Sequence, residues 1–474
     1  MQKDPSTVCP IHTLPPGVLG QIFAAVCSND YSFKVCCPST LSNDSLLSSP
    51  TLLLTQVCSS WRSLISSLPN LWSSISIESR HLYGRPALAA LVVTYISRSG
   101  SAPLKFRLES DSAAPEIELQ VFDHLLRNAS RWSDVVMHVS PPWIQRAASK
   151  LESRLLSNSP ACFPNLEYFT LRIHSERSID RKMLQTLPAQ LIHSSPKLKS
   201  FSGFGFNLSW NGIGPLPGSH SLVTGLVLDK FTGRSLAHLL RGFPFLKMCS
   251  IGGFELSDSD NHAAIFLEDH LYLSEITHLS HTSPWDTFQR GAWQNLRLPN
   301  LVSLELHYGD HSISELSSLL CQSHSPLREL ELHNFPVAEI IRLLHSVPTV
   351  VHLRVYSDAE LSFFNQLTTG LTLSSYYCPV PNLLSLELRW NDHRYKRLSD
   401  PNFKTLQISI RDGICGTVDS RSVSKAVSAL NLQKLAVQIR DGDFLELELL
   451  YEMPEHRLSS MDLTAFQLLD TYHD

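Results

Sequence analysis

From about residue 160 one pattern returns along the chain: an apolar residue, two variable ones, a second apolar, one variable, a third apolar. It reads Leu166-x-x-Phe169-x-Leu171, Val223-x-x-Leu226-x-Leu228, Leu246-x-x-Cys249-x-Ile251 and Ile276-x-x-Leu279. It continues as Leu301-x-x-Leu304-x-Leu306, Leu327-x-x-Leu330-x-Leu332, Val350-x-x-Leu353-x-Val355 and Leu383-x-x-Leu386-x-Leu388. Copies at Phe403-x-x-Leu406-x-Ile408 and Leu432-x-x-Leu435-x-Val437 follow, and a degenerate one starts at Leu198. The steps between first positions are 32, 25, 23, 30, 25, 26, 23, 33, 20 and 29 residues. An apolar-x-apolar piece alternates with period two, so it predicts a short strand with one face buried. Between the strands, Ser235–Leu240, Ser314–Leu320 and Ala338–Leu344 carry Leu and Ile at helical spacing. One such unit cannot bury its own apolar face, whereas stacked copies can.

A mean step near 27 falls within the 20–29 residues of leucine-rich repeats. The copies lack the usual Asn after the strand, so they resemble an irregular, divergent class. The expected architecture is α/β, a curved parallel sheet with outer helices. A sandwich of unrepeated βα units and chance recurrence of leucine are the other readings, and nine or ten copies are too many for chance. Residues 76–160 are expected to begin this solenoid with βα units. Ser74–Ile77, Leu104–Leu108 and Val135–Val139 alternate as strands, and 87–97 and 117–129 are helical.

The first 75 residues differ. Val18, Leu19, Ile22, Phe23 and Val26 share one face of a 3.6-residue period after Pro15-Pro16, residues that suit a helix start. Leu54, Val57, Cys58, Trp61, Leu64 and Ile65 form a second apolar face that Pro69 stops. Ser28–Pro50, rich in Ser, Asn, Asp and Pro, reads as an inserted loop. A helical module of about fifty residues with this much apolar surface is expected to give part of it to another protein.

Leu14-Pro15-Pro16, the Val18/Leu19/Ile22/Phe23 face, Val57-Cys58-x-x-Trp61-Arg62-x-Leu64 and Pro69-Asn70-Leu71-Trp72 resemble the F-box. This is a three-helix motif that docks on a Skp-type adaptor. The form with a long insertion is similar to F-box proteins of mushroom-forming fungi. Gly17 stands where that family commonly has an acidic residue. The resemblance implies an adaptor-binding surface of Leu14, Pro15, Val18, Leu19, Ile22, Phe23, Val57, Cys58, Trp61 and Leu64. It also implies a cullin linked through the adaptor, and a substrate-recognition role in an SCF-type ubiquitin ligase. The expected organisation is an F-box-like module at 1–75 with its loop at 28–50, transitional units at 76–160, and repeats at 161–474. A scaffold acting without ubiquitin transfer is the alternative, and a solenoid enzyme with a His/Asp metal site is a more distant one.

The composition narrows the other possibilities. A net charge of −5 without a Lys/Arg cluster of five or more argues against nucleic acid. Met1–Pro5 lacks the apolar core of a secretory signal. Ala87–Ile96 is half the length of the roughly 20 residues a membrane span needs. A cytosolic or nuclear protein without membrane contact is expected. Ten cysteines occur without a Cys-x-x-Cys pair, which predicts reduced thiols rather than zinc sites or disulfides. Cys36-Cys37 is expected in an exposed loop.

No catalytic set assembles. His-Glu-x-x-His, a phosphate-binding Gly-x-x-x-x-Gly-Lys and a Gly-x-Ser-x-Gly elbow are all absent from the sequence. Pro217 stands where the glycine pairs at 203–205 and 212–214 would need another glycine for a dinucleotide fingerprint. His307 and His311, with Asp310 between them, read as a solvated loop after a strand. No metal and no cofactor are therefore expected. The ends of the repeat strands suggest a rim that binds a protein client, with Tyr308, Asn334, Arg389, Trp390 and Arg411 as the candidate residues.

Overall fold

The computed structural model describes residues 11, 14–27, 31–36, 46–78, 85–110, 116–155, 162–174, 190–209, 222–233, 236–256, 271–273, 275–281, 296–307, 313–357, 363, 366–367, 371, 383, 385–391, 434–441, 445–452 and 469–470. The chain divides into two compact units, Met1–Thr232 and Gly233–Asp474.

The first unit opens with α1 (Pro16–Cys27), β1 (Phe33–Cys36), β2 (Leu46–Ser48), α2 (Pro50–Val57) and α3 (Ser59–Ser66). A 3-10 turn at Pro69–Trp72 leads to β3 (Ser74–Glu78), α4 (Pro86–Arg98), β4 (Leu104–Ser110), α5 (Glu116–Arg127), β5 (Trp132–Val139) and α6 (Pro141–Leu155). β6 (Tyr168–Ile173), β7 (Ser200–Ser209) and β8 (Gly225–Gly233) complete it. From β3 to β8 each strand pairs in parallel with the next. β4 shows the alternation that its sequence predicts, with Leu104, Phe106 and Leu108 buried and Lys105, Arg107 and Glu109 facing out. β7 carries a register shift between Gly203 and Asn207. Gly205 lies there at φ +76°, so close to the Ile173 carbonyl that no Cβ would fit.

The segment 28–50 is not simply a loop. β1 pairs in parallel with β3 and antiparallel with β2, so the supposed insertion extends the sheet. Phe33 and Val35 are fully buried, which explains why two apolar residues sit in an otherwise polar stretch. Cys36 ends β1, in a strand and not in the expected loop. The apolar face 54–65 is also divided. Cys58 takes an extended conformation, ends α2 and caps α3, its Sγ accepting from Trp61 N at 3.5 Å.

Trp72, Tyr95 and Phe33 seat the helices on the sheet. Tyr95 lies 4.7 Å from Phe33 and 4.8 Å from Trp72, and Trp72 donates to Ile65 O at 2.9 Å. Further along, Trp132 donates to Leu125 O at 2.9 Å and packs edge-on against Phe106, with Phe163 5.1 Å away.

The second unit contains α7 (Leu236–Arg241), β9 (Met248–Leu256), β10 (Leu271–Tyr272), β11 (His278–His281), β12 (Leu296–Arg297), β13 (Ser303–His307), α8 (Ile313–Ser323), β14 (Glu329–His333), α9 (Val337–Ser346) and β15 (His352–Ser357). β16 (Ser385–Asn391), β17 (Lys434–Asp441), β18 (Leu445–Glu452) and β19 (Leu469–Asp470) follow. The run β9-β11-β13-β14-β15-β16-β17 is parallel throughout. β18 and β19 turn antiparallel and end it, a departure from the all-parallel sheet expected. β10 and β12 form a separate parallel pair. β16 pairs directly with β17; the copy at 403–408 falls outside the described residues.

The repeat is read literally by the backbone. Leu304, Leu330, Leu353 and Leu386 stand opposite one another in one buried row, and Leu306, Leu332, Val355 and Leu388 in a second. The first apolar residue of each copy, such as Leu301, Leu327, Val350 and Leu383, is buried in the turn before the strand. That turn repeats a hydrogen-bond device. The carbonyl of Val302 accepts from the N–H groups of Arg328 and Glu329, and that of Arg328 accepts from Val351 and His352. Thr277 O accepts likewise from Val302 and Ser303. One carbonyl thus uses both lone pairs to satisfy two donors of the next copy.

No helix among the described residues is long and apolar enough to cross a membrane. Trp132→Ala is expected to cost about 3–5 kcal/mol, as large-to-small changes in an aromatic core do. The loss is measurable as a lower midpoint in urea unfolding followed by circular dichroism.

Candidate interaction surfaces

The first candidate surface is on the N-terminal helices. α1 buries Leu19, Phe23 and Cys27, and the Phe23 ring meets Trp61 at 4.7 Å. Cys27 Sγ and Thr51 Oγ1, 3.6 Å apart, join α1 to α2, and Arg62 Nε donates to Thr55 O at 2.9 Å to tie α3 to α2. With its inward residues committed, α1 leaves Val18 (41% exposed), Ile22 (39%) and Val26 pointing outward, one helical turn apart. α2 leaves Leu53 (65%) and Val57 (57%) in the open. Six of the ten large exposed apolar residues among those described lie between 18 and 57, on α1, β2 and α2.

The expected adaptor residues therefore separate. Leu19 and Phe23 are core; Pro15, Val18, Ile22 and Val57 are exposed; Leu14, Cys58, Trp61 and Leu64 are half-buried. Sequence reasoning missed Leu53, because the break at Cys58 turns α2 so that Leu53 and Val57, a helical turn apart, both face out.

The second candidate surface is the outward face of the second unit's sheet. Between the buried rows, Ser280, Glu305, Glu331, Arg354 and Glu387 stand in register across five strands. Arg354 bridges its neighbours, 3.2 Å from both Glu331 and Glu387. The next outward row holds His307, His333 and Tyr356, stacked nearly parallel with ring centroids 3.8 and 4.1 Å apart. His307 is the last residue of β13 and not part of a solvated loop. Its Nε2 lies 3.6 Å from Glu305 Oε1, and this neighbour holds the Glu305 carboxyl below its ordinary range against the opposing effect of burial. For Glu331, burial acts to raise the carboxyl, but His333 at 3.0 Å and Arg354 outweigh it and hold it low.

Of the expected client residues, Tyr308 and Arg411 lie outside the described residues. Asn334 is exposed at φ 61°, its amide donating to Tyr356 O at 2.7 Å. Arg389 shares the register row of His333 and Tyr356, whereas Trp390 stands one residue further on, opposite Ser357 and Ile439. The stacked row was missed because each repeat was read for its leucines. Comparing the variable positions between and after those leucines from copy to copy would have aligned Glu305 with Glu331, and His307 with His333.

In the first unit the corresponding outward face carries Arg107, Glu109 and His138. His138 Nδ1 lies 3.6 Å from Glu109 and Arg107 Nε donates to it at 2.6 Å; together they depress its carboxyl to about 2. Because the folded value lies below the ordinary 4.5, the stability from this group is complete above that pH and is lost as pH falls towards 2. Urea midpoints of Glu109→Gln are expected to fall less than those of the unaltered protein between pH 4.5 and 2. Identical pH slopes would show that the contacts to Glu109 contribute nothing.

No family model matches the sequence, and no curated protein does. Among solved structures, the crystal structure of the TLR13–ssRNA13 complex is matched at 13% identity with a TM-score of 0.26. The match covers 61% of this chain and spans 42% of the length of the other. The chain is an α/β protein of leucine-repeat units stacked on parallel strands.

Proposed function

We propose that this protein is the substrate-recognition subunit of an SCF-type ubiquitin ligase, working in the cytosol or nucleus. The N-terminal helices dock on a Skp-type adaptor, which carries the cullin, and the outward faces of the repeats hold a protein client. The single observation that carries the reading is the exposure of Val18 and Ile22 on α1 and of Leu53 and Val57 on α2, helices whose inner faces are already packed. A module that had only to support the repeats would have no cause to keep these residues in water. The Leu14-Pro15, Val57-Cys58-x-x-Trp61-Arg62 and Pro69-Asn70-Leu71-Trp72 pattern supports the same reading. The five cysteines whose state is described, Cys27, Cys58, Cys162, Cys249 and Cys321, are free thiols, which suits a reducing compartment. Ubiquitin transfer would then belong to the partners, with this chain contributing proximity.

Ile22→Asp combined with Val57→Asp alters exposed positions only, so the fold should survive. Capture of a Skp-type adaptor by the full chain is expected to weaken by about 30-fold or more, the scale of a lost interface hot spot. Unchanged capture, with an unchanged melting curve, would sink the docking assignment. Ubiquitin chains on a captured client in a reconstituted ligase separate the receptor from a scaffold, and their absence with every bound client would favour the scaffold.

A further inference from the structure

The geometry points to a metal site on the outward face of the second unit, in which Glu305, His307 and His333 hold a divalent transition-metal ion of the Zn2+ type. β13 contributes Glu305 and His307 two residues apart on one face, and β14 places His333 directly opposite His307. Glu305 Oε1 is 3.6 Å from His307 Nε2 and 3.7 Å from His333 Nε2, and the three ligand atoms lie within 4.8 Å of one another. Zinc bonds of 2.0–2.1 Å in a tetrahedron set ligand atoms about 3.3–3.4 Å apart, so only small adjustments separate the two Glu305 edges from a coordinating arrangement. Two imidazoles and one carboxylate favour Zn2+ and its neighbours over Ca2+ or Mg2+, which take oxygen ligands.

The surroundings already orient two of the three ligands. Ser280 Oγ donates to Glu305 Oε2 at 2.7 Å, which turns Oε1 towards the histidines. His333 is held between His307 and Tyr356. Such outer contacts are what fix metal ligands in place. Because the two imidazoles stack only 8° from parallel, their in-plane lone pairs run side by side. The ion therefore requires the His307 ring to turn about its Cβ–Cγ bond, which leaves His333 stacked on Tyr356 alone. Glu331 Oε1, 3.0 Å from His333 Nε2, adds negative charge beside the ion. Three protein ligands on a solvent-facing sheet leave a coordination position open to water or to a donor from a bound protein.

This site rests on the second unit alone and is independent of adaptor docking. The full chain, freed of metal with a chelator, is titrated with ZnCl2 by calorimetry, and its melting temperature is followed with and without Zn2+. One equivalent is expected to bind, with a rise in melting temperature. Affinity should fall at least about tenfold in the near-isosteric Glu305→Gln and in His307→Ala. His352→Ala, on the same sheet face but outside the cluster, should bind as the unaltered chain does. Co2+ in place of Zn2+ should give a visible spectrum of low coordination number that Glu305→Gln loses. No saturable binding, or binding equal in Glu305→Gln and the unaltered chain, overturns the site.

Discussion

The stacking of like positions from one repeat to the next is the constraint on which the rest of this structure depends. Leu304, Leu330, Leu353 and Leu386 are each buried chiefly because a copy lies on either side. Fully burying one such side chain is worth about 1.5–3 kcal/mol, and the gain exists only while the neighbour is in place. The doubly accepting carbonyls of Thr277, Val302 and Arg328 enforce the same dependence in the backbone. Together they hold the strands in a register where a slip of one residue would put a leucine row into water.

That register also creates the outward rows. Once Leu304 and Leu306 are matched to Leu330 and Leu332, Glu305 has to stand beside Glu331 and His307 beside His333. Two carboxylates side by side repel, and here the repulsion is answered by Arg354 and His333. The chemical character of the face is thus a consequence of core packing. Residues about 26 positions apart in sequence become neighbours without any local motif to announce them.

The N-terminal helices follow a different logic. Their inner sides are consumed by Phe23, Trp61, Ile65 and Trp72, and the sheet beneath is extended by β1 from a stretch that looks like a loop. Phe33 and Val35 lie in a polar surrounding too short to show a clear period, so the strand is stabilised by pairing with β3 and not by local preference. This is the usual limit of β-propensity, which measures fit to a surface more than backbone preference.

The amino-acid pattern alone determined the repeat, its α/β character, the positions of the leucine strands and most helices, and the apolar surplus near the N-terminus. These follow from periodicity, a local property that survives without knowledge of neighbours. The tertiary structure decided which apolar residues of α1 and α2 are core and which face water, since both kinds are Val, Leu or Ile. It also decided the strand role of 33–36 and 46–48, the antiparallel end of the sheet, and the meeting of Glu305, His307 and His333. All of these depend on which distant segment lies alongside, and that is set by long-range register, not by composition.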